Sequence, residues 1–421
     1  MNTSQDKKEY FDTVVIGGGA SGMMAAIAAS GNGARVAILE KNKSLGKKLL
    51  LTGNGRCNIT QAIYDPREFI EKIGKNGKFL FSSLSNFGPK ETLEFFESLG
   101  LPVKTEKNGR VFPVSDKACD VLDVLIKALK KNKVKVMLNR NVLGIKIKDR
   151  KVEYVELSDK NIYANNVIIS TGGKSFPATG STGDGYQWLE RIGHKINSPA
   201  PALAPIKIVE SWVASLQGIS LKDIRINLIQ NNKKVTIGAG EMIFTHFGLS
   251  GPAVINASKT IGEQLKHDKV FLEIDLFPAL SAASLEEKLK IDFEQNKKIN
   301  LKNCLSKYVP QKLALALLEL AGIEKDKKIN SVNKLERKNI SRIIKGLPVT
   351  ISDLLDFNHA MVTSGGVDLK EINPKTMRSK IVDNLFLAGE ILDLDGPTGG
   401  YNLQIAWTTG YTAGTWAKNE S

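Results

Sequence analysis

The sequence predicts an α/β protein. A Rossmann-like nucleotide-binding domain is assembled from both ends of the chain, and a β-rich and then helical segment is inserted between them. Three observations lead there. A short apolar strand, FDTVVI (11–16), runs into Gly17-Gly18-Gly19-Ala20-Ser21-Gly22, then into an alanine-rich helix and a second strand, ARVAILE, ending on Glu40. Pro199-Ala200-Pro201 breaks the pattern, and the runs IKIVE, IRINLIQ, KKVTI and VFLEIDL follow it. Short apolar strands return near the C-terminus in MVTSGGVDL and NLFLAGEILDL, ahead of a last helix.

The first element carries the chemistry. G-x-G-x-x-G alone is a weak signal, but here it follows a strand, opens a helix and leads to an acid, all within about thirty residues. Gly17 makes the tight turn, Gly19 lets backbone approach a pyrophosphate, and Gly22 lets helix and strand pack closely. Ala20 and Ser21 open a helix whose unpaired N–H groups and dipole favour phosphate. Glu40 would accept hydrogen bonds from a ribose diol and repel a 2′-phosphate, which disfavours NADP at this site. Lys41, which follows it, and Val142, at the head of VLGIKI, are counted as further cofactor contacts.

The remaining elements follow in order. Residues 76–130 read as mostly helical, broken at NGRVFPVSD (108–116). From Val134 to Ser170 the chain alternates as short strands: VKVMLN, VLGIKI, VEYVEL and NVIIS. A glycine-rich loop, TGGKSFPATGSTGDG, and the helix YQWLERIG complete the first part of the domain, 1–198. An inserted β-rich domain, a small barrel or sandwich, is expected over 199–282 and a helical part over 283–355. The nucleotide-binding domain resumes over 356–421, its last helix running from about Leu403 to Lys418.

The second half of the fingerprint selects the nucleotide. NVIISTGG delivers Thr171 and Gly172 at a strand end, and NLFLAGEILDLDG delivers Gly389 and Glu390 at another. Gly400, Tyr401 and Asn402 then open the last helix. Glu390 or Asp393 can bond ribityl hydroxyls, and the helix N-terminus can face flavin N1–C2=O and stabilise the reduced ring. A plain dehydrogenase needs no such closing segment, so the cofactor expected is FAD. With no second G-x-G-x-x-G, NAD(P)H would dock transiently as electron donor.

Composition limits the alternatives. The 421 residues, 42% apolar and 24% charged, suit two or three ordinary globular domains. No run of about 18 apolar residues suggests a membrane span. The polar start shows no signal peptide, and three cysteines without a CxxC pair fit a reducing compartment, so a cytoplasmic protein without a metal site is expected. The formal charge of +15 is spread along the chain and thickens at KNKSLGKK and KALKKNKVK. With few aromatics in those runs it reads as solvated faces; a small-molecule substrate is expected rather than nucleic acid, on a monomer or homodimer.

Seven blocks in order resemble one family: the fingerprint, TGNGRCN, NGRVFPVS, STGGKSFPATGSTGDGY, FTHFGLSGPAVINAS, VTSGGVDLKEINPKTM and AGEILDLDGPTGGYNLQIAWTTGYTAG. Together they are similar to the bacterial aminoacetone-oxidase-like family of NAD(P)/FAD-dependent flavoproteins. The resemblance implies a two-dinucleotide-binding flavoprotein with a glutathione-reductase-like FAD domain, an inserted β domain and non-covalent FAD. It implies oxidation of aminoacetone in some members and reduction of bile-acid-like enones in others.

Other residues then receive expected roles. TGNGRCN should run along the pyrophosphate to the flavin edge, with Asn54, Gly55, Arg56, Cys57 and Asn58 as contacts. Cys57 lacks a partner cysteine nearby in sequence and is read as a packed or flavin-contacting thiol, not a redox partner. His246 is the candidate proton donor, and Arg110 the candidate clamp for a carboxylate or enone oxygen. The expected function is an FAD-dependent oxidoreductase that passes a hydride from NAD(P)H or a small amine to an enone-type acceptor or oxygen. The alternative is a flavin-dependent RNA-modifying or RNA-binding protein.

Overall fold

Residues 9–230 and 233–419 are described by a computed structural model. The chain divides into two compact units, one of residues 1–201 and 360–421 and the other of residues 202–359.

The first unit is built on β1 (Glu9–Ile16), whose Val14, Val15 and Ile16 are buried. A strand buried on both faces reads as a continuous apolar run, as FDTVVI does. β1 pairs in parallel with β2 (Val36–Leu39) on one side and β6 (Asn161–Ile169) on the other. β3 (Lys135–Met137) extends the sheet beyond β2, and β7 (Leu385–Leu387) lies parallel to the end of β6. β4 (Val142–Lys148) and β5 (Lys151–Leu157) form an antiparallel meander onto the start of β6. The chain leaves β1 for β2 on one side and returns to β6 on the other. The carboxyl ends of β1 and β6 therefore form a switch point, where open α/β sheets bind ligands.

Two helices seal this sheet. α1 (Ala20–Ala29) is apolar nearly all round, with Met23, Met24, Ala25 and Ala26 fully buried, because it lies between the sheet and α2 (Tyr401–Asn419). Gly410 and Gly414 on α2 make the approach possible: a Cβ on either would overlap the backbone carbonyl of Ser21 or Ala25. α2 begins at Tyr401, close to the expected start. The break expected at 108–116 is a small antiparallel sheet in which Arg110–Pro113 pairs with Val103–Thr105 and with Thr60–Gln61.

The second unit holds a closed six-stranded antiparallel barrel. Its order is Ile206–Ile208, Gly248–Ser250, Lys233–Phe244, Ser220–Gln230, Val270–Asp275 and Leu347–Leu354, closing back on Ile206–Ile208. Helix Pro252–Leu265 packs beside Lys233–Phe244, where Gly238 leaves room for the Ala253 carbonyl. Helices Ala282–Gln295, Gln311–Leu320 and Lys334–Lys345 do not form a body of their own. Leu285, Leu317 and Ile344 share one apolar core with barrel residues Ile226, Leu272 and Ile274. The last barrel strand lies within the stretch expected to be helical, because it closes the barrel against both Ile206–Ile208 and Val270–Asp275. Lys345 fastens helix to barrel through Asp275 at 2.7 Å and the Phe277 carbonyl at 2.8 Å.

Candidate functional site

The site is a cleft over the carboxyl ends of β1 and β6, wholly within the first unit. Its floor is the glycine turn. Gly17 has φ +104°, a region that L side chains rarely occupy, and a Cβ there would collide with the Ser170 carbonyl. Gly22 is needed for a different reason, since its Cβ would overlap the carbonyl of Gly17. Ser170 Oγ, at the end of β6, donates to the Ile16 and Gly17 carbonyls and locks the two strand ends together.

Glu40 is the organising acid of one side. It is 7% exposed; its Oε2 accepts the Gly18 amide at 2.8 Å, and its Oε1 accepts the Asn42 amide and side chain at 2.7 Å each. A carboxylate held by three donors is pre-positioned, and Oε2, with a single donor, keeps acceptor capacity for a hydroxyl. Lys41 beside it donates to Thr182 Oγ1 and pairs with Asp184 at 2.7 Å. Burial raises the Asp184 carboxyl, but Lys41 and Thr182 outweigh it and hold the group below its ordinary value.

On the other side stands Glu390. Its Oε2 pairs with Lys48 Nζ at 2.6 Å, its Oε1 accepts the Thr363 amide at 2.8 Å, and its carbonyl accepts the Tyr186 hydroxyl at 3.1 Å. Asn402, at the start of α2, holds the preceding loop by bonding both the amide and the carbonyl of Gly396 at 2.8 Å.

The cleft thus gathers Gly17, Gly19, Ala20 and Ser21 with Glu40 and Lys41. It adds Val142, Thr171, Gly172, Glu390 and Asn402 from four separate segments. Gly22, Gly389 and Gly400 do not line it; they are tight-packing positions, where a Cβ on Gly389 would meet Ser21 Oγ and one on Gly400 the backbone of Thr60. Tyr401 is also outside the lining, with its ring packed 5.0 Å from Phe69. Sequence reasoning missed Asn42, Lys47, Lys48 and Arg140. KNKSLGKK read as a charge run, although Gly46 inside it marks a turn whose amide bonds the Gly18 carbonyl at 2.9 Å.

The TGNGRCN stretch meets the cleft through its first residue. Thr52 lines the cleft, whereas Asn54, Gly55, Arg56, Cys57 and Asn58 do not. The chain turns through left-handed conformations at Gly53, Asn54, Gly55 and Cys57, and this folds the loop onto its own neighbours. Arg56 bonds Glu106 and Asp116 at 2.6 Å each and stacks over Phe112 at 3.9 Å, so its charge faces protein groups instead of a phosphate. Cys57 is fully buried, and burial pushes its thiol up to about 12, which keeps it protonated and unreactive. Arg110 lies outside the cleft as well, 3.4 Å from Glu106. His246 belongs to the second unit, exposed in the turn after Phe244 with its ring edge-to-face with Phe247.

FAD fits the residues present. α1 begins at Gly19 with no side-chain cap and no acid in its first turn, so its N–H groups are open to phosphate. The Thr171 hydroxyl is buried at the cleft without a hydrogen-bond partner. Orphaned polar atoms of this kind are uncommon in folded proteins, and a cofactor hydroxyl or carbonyl would satisfy it. Among the described residues no group of His, Cys, Asp and Glu could hold a metal ion, and no helix is long and apolar enough to cross a membrane.

Comparison with known proteins agrees with this geometry. The family model described as "HI0933-like protein Rossmann domain" matches residues 11–416. A 3-dehydro-bile acid delta(4,6)-reductase of Clostridium scindens is 35% identical over 95% of this chain and 97% of its own length. A ribosomal RNA dihydrouridine synthase of Haemophilus influenzae is 30% identical over 96% and 97%, respectively. Among solved structures, the 3-ketosteroid-delta4-(5alpha)-dehydrogenase of Rhodococcus jostii RHA1 superposes with a TM-score of 0.54 at 15% identity, over 99% of this chain and 98% of that one. A flavocytochrome c3 fumarate reductase gives 0.53 at 16%, over 98% and 78%. The chain belongs to the HI0933-like Rossmann-domain family of flavoproteins, and it is an FAD-dependent oxidoreductase.

Proposed function

We propose that this enzyme uses non-covalent FAD to reduce a carbon–carbon double bond conjugated to a carbonyl, with NAD(P)H docking transiently as the hydride source. The observation that supports it best is the pair of activities among its relatives. A bile-acid delta(4,6)-reductase acts on an enone, and dihydrouridine is uridine whose C5=C6 bond, conjugated to C4=O, has been saturated. The two acceptors look unrelated but share one electrophile: hydride adds to the β-carbon and a proton to the α-carbon. FAD when bound supplies the hydride relay.

The chain's own residues bind and orient. In this reading the uncapped start of α1 holds the diphosphate, Glu40 takes the adenosine ribose, and Glu390 and Thr171 take ribityl or ring-edge groups. The β3-β2-β1-β6-β7 order with its meander supports a glutathione-reductase-like FAD domain. Amine oxidation stays a lesser reading, since the relatives reported above are named as a reductase and a synthase.

Two acceptors follow. A small enone such as a 3-oxo steroid is suggested by the bile-acid reductase. A uridine in RNA is the second reading, suggested by the dihydrouridine synthases at 30% and 29% identity and by the +15 charge, which is of the sign and size that a polyanion rewards. The relatives reopen a partner that the spread of this charge along the chain had set aside. The test is anaerobic reduction of the yellow protein by NADH or NADPH, followed by mixing with a 4-en-3-one steroid or with unmodified ribosomal RNA. Reoxidation by one acceptor identifies its class, and reoxidation by neither, with rapid reoxidation by oxygen, contradicts the proposal. RNA binding should weaken steeply with salt.

A further inference from the structure

We infer that Lys48 sets the charge felt by the bound flavin, with Glu390 as its counterweight, so that this ion pair tunes the reduction potential of the enzyme. The inference rests on FAD binding by the cleft, not on the identity of the acceptor.

The cations of the cleft fall into two groups. Lys41, Lys47 and Arg140 gather around Glu40 and Asn42: Lys41 pairs with Asp184, Lys47 donates to Asn42 Oδ1 at 2.9 Å, and Arg140 pairs with Asp159 while its amide bonds the Glu40 carbonyl. Lys48 stands apart, tied across the cleft to a residue 342 positions away in sequence. Its ammonium has three donors, and Glu390 Oε2 takes one. Lys48 and Glu390 are 25% and 20% exposed, so water screens the pair only in part.

The surroundings make that cation count. After burial itself, the charges of Glu390 and Asp393 are what push the Tyr186 hydroxyl up. Asp393 is engaged by Asn197, a neutral donor, at 2.9 Å. Asp393 lies outside the cleft lining, so Glu390 is the carboxylate on this side of it, and Lys48 is the cation bonded to that carboxylate. A hydride brings FAD two electrons and one proton, which leaves the reduced flavin one negative charge richer than the oxidised form. A neighbouring ammonium favours that added charge, and a neighbouring carboxylate opposes it.

The test is a reductive titration of FAD-saturated protein against a reference dye, with FAD affinity measured separately on the oxidised form. Lys48→Met should shift the equilibrium for flavin reduction at least tenfold toward the oxidised state, about 30 mV for a two-electron couple. Lys48→Arg should stay within about threefold of the parent, and Glu390→Gln should move in the opposite direction to Lys48→Met. An unchanged potential in Lys48→Met overturns the inference whatever its FAD affinity, because Lys48 would then serve folding or the diphosphate alone. If Lys48→Met cannot be loaded, Glu390→Gln decides: an unchanged or more negative potential overturns the inference, and a more positive one supports it.

Discussion

Gly17–Gly22 and Thr52–Asn58 are both glycine-rich, both near the start of the chain and both drawn from blocks that resemble a flavoprotein family, yet they stand in different surroundings. The first sits between a buried strand and a helix start, and its geometry leaves amides facing an open cleft. The second folds through four left-handed residues, buries its thiol and spends its guanidinium on Glu106, Asp116 and Phe112. Glycine content marks where backbone can bend or approach closely. What the bend serves is decided by the elements on either side.

That contrast can be broken experimentally, beginning with the largest effect. Gly22→Val forces a branched side chain against the Gly17 carbonyl at the base of the turn. Overpacking of this kind costs about 1–3 kcal/mol or more, and the variant should lose FAD and show a lower thermal midpoint. Glu40→Arg removes a charge-assisted acceptor from the cleft. A bond of that kind contributes roughly 1.5–3 kcal/mol, so FAD should bind about ten- to a hundredfold more weakly in titrations followed by flavin fluorescence.

The second stretch should respond differently. Arg56→Met releases Asp116 and Glu106, whose contacts with it are half-buried, so the thermal midpoint should fall by a few degrees while FAD affinity stays within about threefold. Smallest of all is Cys57→Ser, which should leave the anaerobic rate of flavin reduction within about tenfold of the parent. The same burial predicts that a thiol reagent at neutral pH titrates Cys119, which is exposed, and spares Cys57 and Cys304. The pH dependence has a definite sign. The Cys57 thiol is protonated in both folded and unfolded chains below about pH 9, so its burial contributes fully there. The unfolded chain ionises first, and stability is lost as pH climbs from 9 toward 12.

The cofactor half of the site was legible in sequence because each signal was local. A glycine turn, a strand-end acid at Glu40 and a strand-end Glu390 each keep their meaning within a few residues. Lys48, Arg140 and Asn42 were not legible, since they reach the cleft through the turn at Gly46 and the neighbouring ends of β2 and β3. The closed barrel was foreseen as a small barrel or sandwich, without its strand pairing or its last strand. Which strand pairs close it depends on contacts between residues 206 and 354, about 150 positions apart, and no local pattern carries that information. The helices from 282 to 345 were foreseen as helices. That they share a core with the barrel follows from where their apolar faces dock, at Leu285, Leu317 and Ile344, not from their periodicity.

The most direct test sets the two glycine-rich stretches against each other in one measurement: the FAD dissociation constants of Glu40→Arg and Cys57→Ser, determined side by side on apoprotein under the same salt and pH. Binding should weaken at least tenfold in Glu40→Arg and stay within about threefold of the parent in Cys57→Ser. If Cys57→Ser lost FAD while Glu40→Arg kept it, the thiol loop would be the cofactor's seat and the cleft over β1 and β6 would have been misassigned.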